Sequence, residues 1–193
     1  QLVELEDDIE VIAEASNGQE GVQQALAHQP DLILLDLNMQ GMSGIDTLKA
    51  LKQADVDSRI VIFSVSDNNS DVVSALRAGA DGYILKDSEP EQLLKYIREA
   101  ATGQMVLSSK LATILATALK GEQESENVNA SELTDRELQT LKLIALGDSN
   151  KIIARKLDIT EATVKVHVKN LLKKLKLRSR VEAAVWAVER GIK

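Results

Sequence analysis

Between Gln19 and Ala101 the chain alternates short apolar runs with amphipathic stretches. Leu32–Leu35, Ile60–Phe63 and Tyr83–Leu85 are continuous runs that end at Asp36, Ser64 and Lys86. Continuous rather than alternating runs predict strands buried on both faces. Between them, Gln19–Gln29 (closed by Pro30), Gly44–Gln53, Asp71–Ala78 (stopped at Gly79) and Pro90–Ala101 read as helices, the last with proline in its first turn. Ile9–Ala15 reads as a further strand before an Asn17-Gly18 turn. Strands and helices in alternation, joined by short loops, predict an α/β domain with a parallel sheet covered by helices.

The pattern then changes. Leu111–Lys120 reads as a linker helix, and Gly121–Ser131 is polar, acidic and without period, as expected of a flexible tether. Beyond Ser131 every element is helical. Thr134-Asp135-Arg136-Glu137 is a capping box, with Leu138, Leu141, Ile144 and Ala145 following on one face and Gly147 as the stop. Ser149 caps Asn150–Leu157, and after the short connection Asp158-Ile159-Thr160 a third helix runs from Glu161 to about Leu175. Ser179-Arg180-Val181-Glu182 is a second capping box, opening a helix to Arg190. The expected organisation is therefore an α/β domain over residues 1–103, a linker over 104–130 and an all-α four-helix domain over 131–193.

Charge sharpens this division. The 193 residues carry a formal charge of −7, but residues 1–130 account for −13 and residues 131–193 for +6. Two domains with different partners are the simplest reading. There is no cysteine, so disulfide scaffolds, thiolate metal sites and cysteine nucleophiles are excluded. No apolar run approaches the ~18 residues needed to span a membrane. With Phe63, Tyr83, Tyr96 and Trp186 as the aromatics, a base-stacking surface for single strands is also excluded. A cytoplasmic protein with no membrane partner is the expectation.

The basic charge is concentrated in one place. From Ala162 to Val181 there are seven basic residues and no acid. On a helical wheel Val164, Val168, Leu171, Leu172 and Leu175 form an apolar stripe, while Lys165, Val166, Lys169, Asn170 and Lys173 lie opposite. A solvated face would account for the lysines but not for a β-branched apolar residue among them. A major groove accounts for both: lysines bond guanine edges or phosphates, and a valine touches a thymine methyl. With the short helix and tight connection before it, this is a helix-turn-helix whose second helix reads DNA. His167, beside the core stripe, fits packing or a phosphate contact better than a metal site.

In the acidic half, ligands of a parallel sheet bind beyond the carboxyl ends of its strands. Asp36, Ser64 and Lys86 occupy three such ends. Singly, each reads as a turn former or a surface charge. Together they supply a carboxylate that can attack phosphorus to give an acyl phosphate, and an ammonium and a hydroxyl that can bond the phosphoryl oxygens.

Leu32–Met39, with Gly41-Met42-Ser43-Gly44 after it, resembles the phosphoacceptor segment of bacterial response-regulator receivers. Ser64 matches the switch Ser/Thr, Tyr83 the switch aromatic and Lys86 the phosphate-binding lysine of that family. Leu133–Glu137 and Thr163–Lys169 resemble the LuxR-type helix-turn-helix. The combination is similar to the NarL/FixJ class over essentially the whole chain. Within it the wording is nearest the nitrate/nitrite regulators, at Leu37-Asn38-Met39 and Ser179–Ala184. The resemblance implies a flavodoxin-like receiver joined to a LuxR-type DNA-binding domain, and a transcription regulator rather than an enzyme. It implies phosphorylation of Asp36 by a sensor histidine kinase with Mg²⁺ present, the metal held by Asp36 and the backbone carbonyl of Asn38. It further implies rearrangement of Ser64 and Tyr83 and release of the DNA-binding domain. The released domain would form a homodimer on double-stranded DNA through Val181, Val185 and Trp186, with Lys165, Val166, Lys169 and Lys173 at the DNA.

The resemblance breaks at the start. Family receivers open with an apolar strand ending in two Mg²⁺-binding acids, then a first helix. Here Asp7-Asp8 follows no strand, and Ile9–Ala15 matches the family's second strand. The chain is expected to be a fragment lacking the first strand and most of the first helix. In a 2-1-3-4-5 sheet that strand is central, so its loss predicts a destabilised, poorly phosphorylated receiver beside a DNA-binding half that folds regardless. Two other classes share part of the pattern. A haloacid-dehalogenase-type phosphatase commonly needs a second Asp where Asn38 stands. A purely structural module with a basic dimerisation helix would fail to bind DNA at low salt.

Overall fold

The boundaries of most elements follow from local capping. Asn17, Ser43 and Asn68 accept backbone N–H groups of the helices they precede, as do Thr134, Ser149, Thr160 and Ser179 in the second half. The computed structural model describes residues 3, 6–54, 56, 58–123 and 130–192. In chain order the elements are α1 (Gly18–His28), β1 (Leu32–Leu35), α2 (Gly44–Gln53), β2 (Arg59–Ser64), α3 (Asn69–Arg77), β3 (Gly82–Leu85), α4 (Pro90–Ala101), β4 (Val106–Leu107) and α5 (Ser109–Gln123). After a short 3₁₀ turn come α6 (Asp135–Ala145), α7 (Asn150–Leu157), α8 (Glu161–Lys174) and α9 (Arg180–Glu189).

The four strands form one parallel sheet in the order β1-β2-β3-β4, with Leu35 opposite Ile62 and Ser64 opposite Leu85. β2 is central: Ile60, Val61 and Ile62 are all buried. Alternation sends Val61, with Ile84 and Val106, toward Ala100 of α4. Ile60, Ile62 and Tyr83 instead join Leu48, Leu51, Val72 and Leu76 of α2 and α3 in the main core. That core runs on without a break through Leu111 and Leu115 of α5 into Leu141, Ile144, Val164, Leu171 and Trp186 of the helical half.

Three expectations are corrected. Ile9–Ala15 is not a strand: its apolar composition is present, but no strand among the described residues pairs with it, and Val11 and Ile12 are 44% and 45% exposed. A strand's N–H and C=O groups need a ladder partner, and sequence pattern cannot supply one. β1 consequently pairs on one edge alone, to β2, and is not buried on both faces, since Leu34 is 39% exposed. The tether expected at Gly121–Ser131 is ordered at both of its ends. Residues Gly121–Gln123 continue α5, Ala130–Glu132 form the 3₁₀ turn, and residues 124–129 lie outside the described residues. The two-residue strand β4, too short to leave a period in the sequence, was not anticipated.

Candidate phosphoacceptor site and nucleic-acid interface

Asp36 stands one residue beyond β1, on a loop braced by Gly44. A side chain at Gly44 would come within 2.3 Å of the Asp36 carbonyl oxygen and 2.5 Å of Leu37 Cα, so only glycine admits this close approach. The Gly44 N–H donates to the Leu37 carbonyl at 3.3 Å. Lys86, one residue beyond β3, donates from Nζ to Asp36 Oδ2 at 2.5 Å, and the Asn38 N–H donates to Oδ1 at 3.0 Å. The Lys86 ammonium also lies 5.5 Å from the centre of the Phe63 ring. Burial works against ionisation of Asp36, but the Lys86 and Asn38 hydrogen bonds outweigh it and hold the carboxyl below its ordinary value.

Ser64, the last residue of β2, is fully buried, and its Oγ accepts from the Ser66 N–H at 3.2 Å. Tyr83 is 1% exposed; burial raises its phenol pKa, and its OH donates to the Ser66 carbonyl at 2.7 Å. The structure thus brings Asp36 and Lys86 into direct contact, while Ser64 and Tyr83 converge on Ser66. Sequence reasoning missed Ser66. Its Oγ donates to Asp71 Oδ2 at 2.7 Å, joining the strand-end serine and the tyrosine to the first turn of α3. The signal available was a Ser-x-Ser run directly before a helix cap, the composition of a side-chain-bonded turn.

The residues present do not by themselves fit Mg²⁺. No cluster of three His, Cys, Asp or Glu occurs among the described residues, whereas Mg²⁺ demands a near-octahedral set of oxygens. Asp36 accepts from the Asn38 N–H and is engaged by Lys86. Asp8 is gripped elsewhere by Arg98 of α4, through Nε and Nη2 at 2.8 Å each.

In the helical half, α7 ends at Asp158, whose left-handed φ of 53° turns the chain, and Thr160 caps α8. Val164 and Leu171 of α8 are buried, while Val166 is 56% exposed between exposed Lys165, Lys169 and Lys173. The wheel read from the sequence is therefore the face α8 presents. Lys165 at its amino end lines a cleft shared with the sheet half.

The expected dimerisation residues fare differently. Val181, Val185 and Trp186 are 1%, 8% and 0% exposed, so in this conformation they offer no surface to a second copy. α9 is wrapped by α6 on one side and by α3 and α5 of the other half, a tertiary contact that helical periodicity cannot foresee. Glu182 is at its centre: Oε1 accepts from Arg77 Nε of α3 at 3.0 Å, with side-chain exposures of 17% for Arg77 and 2% for Glu182. Its Oε2 accepts from the Arg178 N–H at 2.7 Å, one residue earlier than the capping box predicts. The role of Glu182 at the junction was not read from the sequence.

A lysine-held aspartate at the carboxyl edge of a parallel sheet, joined to a helix-turn-helix with a basic reading face, defines a phosphorylation-dependent DNA-binding class, and the chain belongs to the bacterial response regulators. Residues 1–98 match the response regulator receiver domain and residues 131–187 the LuxR family of bacterial regulatory proteins. The protein is a two-component transcription regulator, not an enzyme. It is 55% identical over 192 residues to the nitrate/nitrite response regulator protein NarL of Escherichia coli K12, an alignment spanning 100% of this chain and 89% of that protein. It is 49% identical to the nitrate/nitrite response regulator protein NarP of the same strain, over 96% of this chain and 85% of that one. Among solved structures it is similar to the response regulator ChrA of a heme-sensing two-component system, with 31% identity, a TM-score of 0.50 and coverage of 100% of this chain and 90% of that one.

Proposed function

We propose that Asp36 is the phosphoacceptor through which a sensor histidine kinase controls DNA binding by residues 131–193. The observation that carries this is the Lys86–Asp36 contact at the carboxyl edge of the sheet. An Asp36 oxygen bonds to the phosphorus of a phosphohistidine as the P–N bond breaks and the imidazole leaves with a proton. The Lys86 ammonium then bonds a phosphoryl oxygen in place of the carboxylate. Ser64, Tyr83 and Ser66 readjust and move α3, loosening its grip on α9. Freed α9 dimerises through Val181, Val185 and Trp186, while Lys165, Val166 and Lys169 meet base edges and Lys173 meets phosphate. Residues 1–103 act as the receiver and 104–130 as the connection. The names of the similar proteins support nitrate or nitrite as the signal, and work on DNA fits a cytoplasmic protein. No helix among the described residues is long and apolar enough to cross a membrane.

The test is intact mass before and after incubation with acetyl phosphate. One phosphoryl adduct is expected, at low occupancy because the described residues supply no carboxylate cluster for Mg²⁺, and absent from Asp36→Asn. An adduct that persists in Asp36→Asn, or none in either protein, overturns the assignment.

A further inference from the structure

Phe63 is the single phenylalanine of the chain, and its ring lies under the ion pair of the phosphoacceptor site. β2 runs between β1 and β3, with Leu35 opposite Ile62 and Phe63 opposite Ile84. Carried one step further, that register sets Asp36 beside Phe63. Alternation places Phe63, with Leu32 and Ile84, on the face covered by α4, whereas Ile62 and Tyr83 turn to the main core. Lys86, two residues beyond Ile84, leaves β3 on the same face as Phe63. Neighbouring strands are about 4.8 Å apart, so Asp36 and Lys86, at the ends of the two strands flanking β2, meet by reaching across roughly 10 Å. The Phe63 ring lies where they cross.

The lysine is held at both ends. Its backbone N–H donates to the Ser64 carbonyl at 2.9 Å, and its ammonium lies 5.5 Å over the Phe63 ring centre while donating to Asp36 Oδ2 at 2.5 Å. With side-chain exposures of 33% and 30%, Lys86 and Asp36 are both open to water. An ion pair that open does little to fix a long, strongly hydrated side chain. The negative face of an aromatic ring attracts the ammonium from a second side, at a distance within the usual reach of about 6 Å. An aliphatic side chain would fill the same space without that attraction. Because the ring carries no formal charge and titrates with nothing, its hold persists when the carboxylate becomes an acyl phosphate.

We infer that Phe63 is a positioning residue: its ring face holds the Lys86 ammonium against Asp36 at the sheet edge, where an incoming phosphoryl oxygen needs it, and so speeds phosphoryl transfer to Asp36. The effect on transfer rests on the phosphoacceptor reading above, whereas the hold on the ammonium does not.

The test exploits the single phenylalanine. Growth on fluorinated phenylalanines alters this position alone in the full chain, weakening the ring face with little change of shape. Initial rates of adduct formation with acetyl phosphate are compared by intact mass for the phenylalanine, para-fluorophenylalanine and trifluorophenylalanine proteins. The rate should fall stepwise with fluorination, about threefold at the trifluoro ring, and as far in Phe63→Leu, with recovery in Phe63→Tyr. Equal rates across the fluorinated set overturn the proposal, and a loss confined to Phe63→Leu would then mean packing only. If Phe63→Leu fails to fold, the fluorinated proteins still decide. A second readout needs no phosphodonor: the fluorine resonance of the para-fluoro protein should move in Lys86→Gln, and an unmoved resonance overturns the hold on the ammonium. Failure of the phosphoacceptor reading would appear separately, as no adduct on the unsubstituted protein; that outcome overturns the rate effect, while a fluorine resonance that responds to Lys86→Gln still supports the hold.

Discussion

At Asp36 the competing influences are burial, which favours the neutral acid, and the Lys86 ammonium, which favours the carboxylate. The ammonium wins, and the carboxyl stays ionised. Under the proposed function the same ammonium neutralises the carboxylate until a phosphoryl group offers it better acceptors. Lys169 shows the equivalent economy on α8: it contributes nothing to the apolar stripe and stands exposed beside Val166. Lys169→Ala is therefore expected to weaken specific duplex binding by about 1–3 kcal/mol and to relax specificity at one base pair, as for a lost base-edge contact. Circular dichroism should be unchanged. Unaltered affinity and specificity would remove Lys169 from the interface.

Among the elements, α6 shows how a helix terminus becomes a stability switch. Thr134 and Glu137 form a reciprocal capping box, and Glu137, 4% exposed, also accepts from Lys174 Nζ of α8 at 2.7 Å. Burial opposes ionisation of Glu137, but Lys174 and the Thr134 backbone and hydroxyl outweigh it, so the carboxyl lies below its ordinary 4.5. A group depressed in the folded state stabilises above its unfolded pKa, and that stability drains away as pH falls through the folded-state value. The helical half should thus lose stability as pH drops below 4.5, and Glu137→Gln should flatten that dependence while costing stability at neutral pH. Thermal midpoints of both proteins across pH 3–7 check this, and equal slopes would refute it. Thr134→Ala should cost about 1 kcal/mol, the usual worth of an amino-terminal cap.

For the molecule as a whole the decisive element is α9, whose residues 181–187 are all buried because helices of both halves pack on it. Loss of one partner from a buried ion pair costs roughly 3 kcal/mol. Arg77→Ala is accordingly expected to loosen α3 from α9 and raise duplex affinity several-fold without any phosphodonor. Trp186, the single tryptophan, lies 0% exposed with Arg190 4.3 Å over its ring, so its emission should shift to the red as α9 opens. Pairing Arg77→Glu with Glu182→Arg should restore the closed state. If Arg77→Ala changes neither affinity nor emission, the α3–α9 contact is not the restraint.

How far the fold could be read depended on the range of the interactions behind each feature. Helices α2, α4 and α7 lie where the pattern puts them, because capping serine, first-turn proline and apolar period are local. Val166 could be placed on the exposed face of α8 from angular spacing alone. The strand-end positions of Asp36, Ser64 and Lys86 were legible for the same reason, since a continuous apolar run ends where a charge or hydroxyl begins. Ile9–Ala15 had the composition of a strand and failed to become one, since pairing requires a neighbour that composition does not specify. For Ser66 and Glu182 the local pattern offered a turn and a capping box but not their partners, and for Arg77 it offered nothing; their roles arise from contacts between residues 5 and 105 positions apart. Sequence by itself determined the helices, strands β1 to β3 and the exposed face of α8, all properties of neighbouring residues. Tertiary structure alone decided which faces meet, that helices of both halves pack on α9, and that Asp36 and Lys86 come together across β2, because burial and electrostatic pairing depend on distances through space.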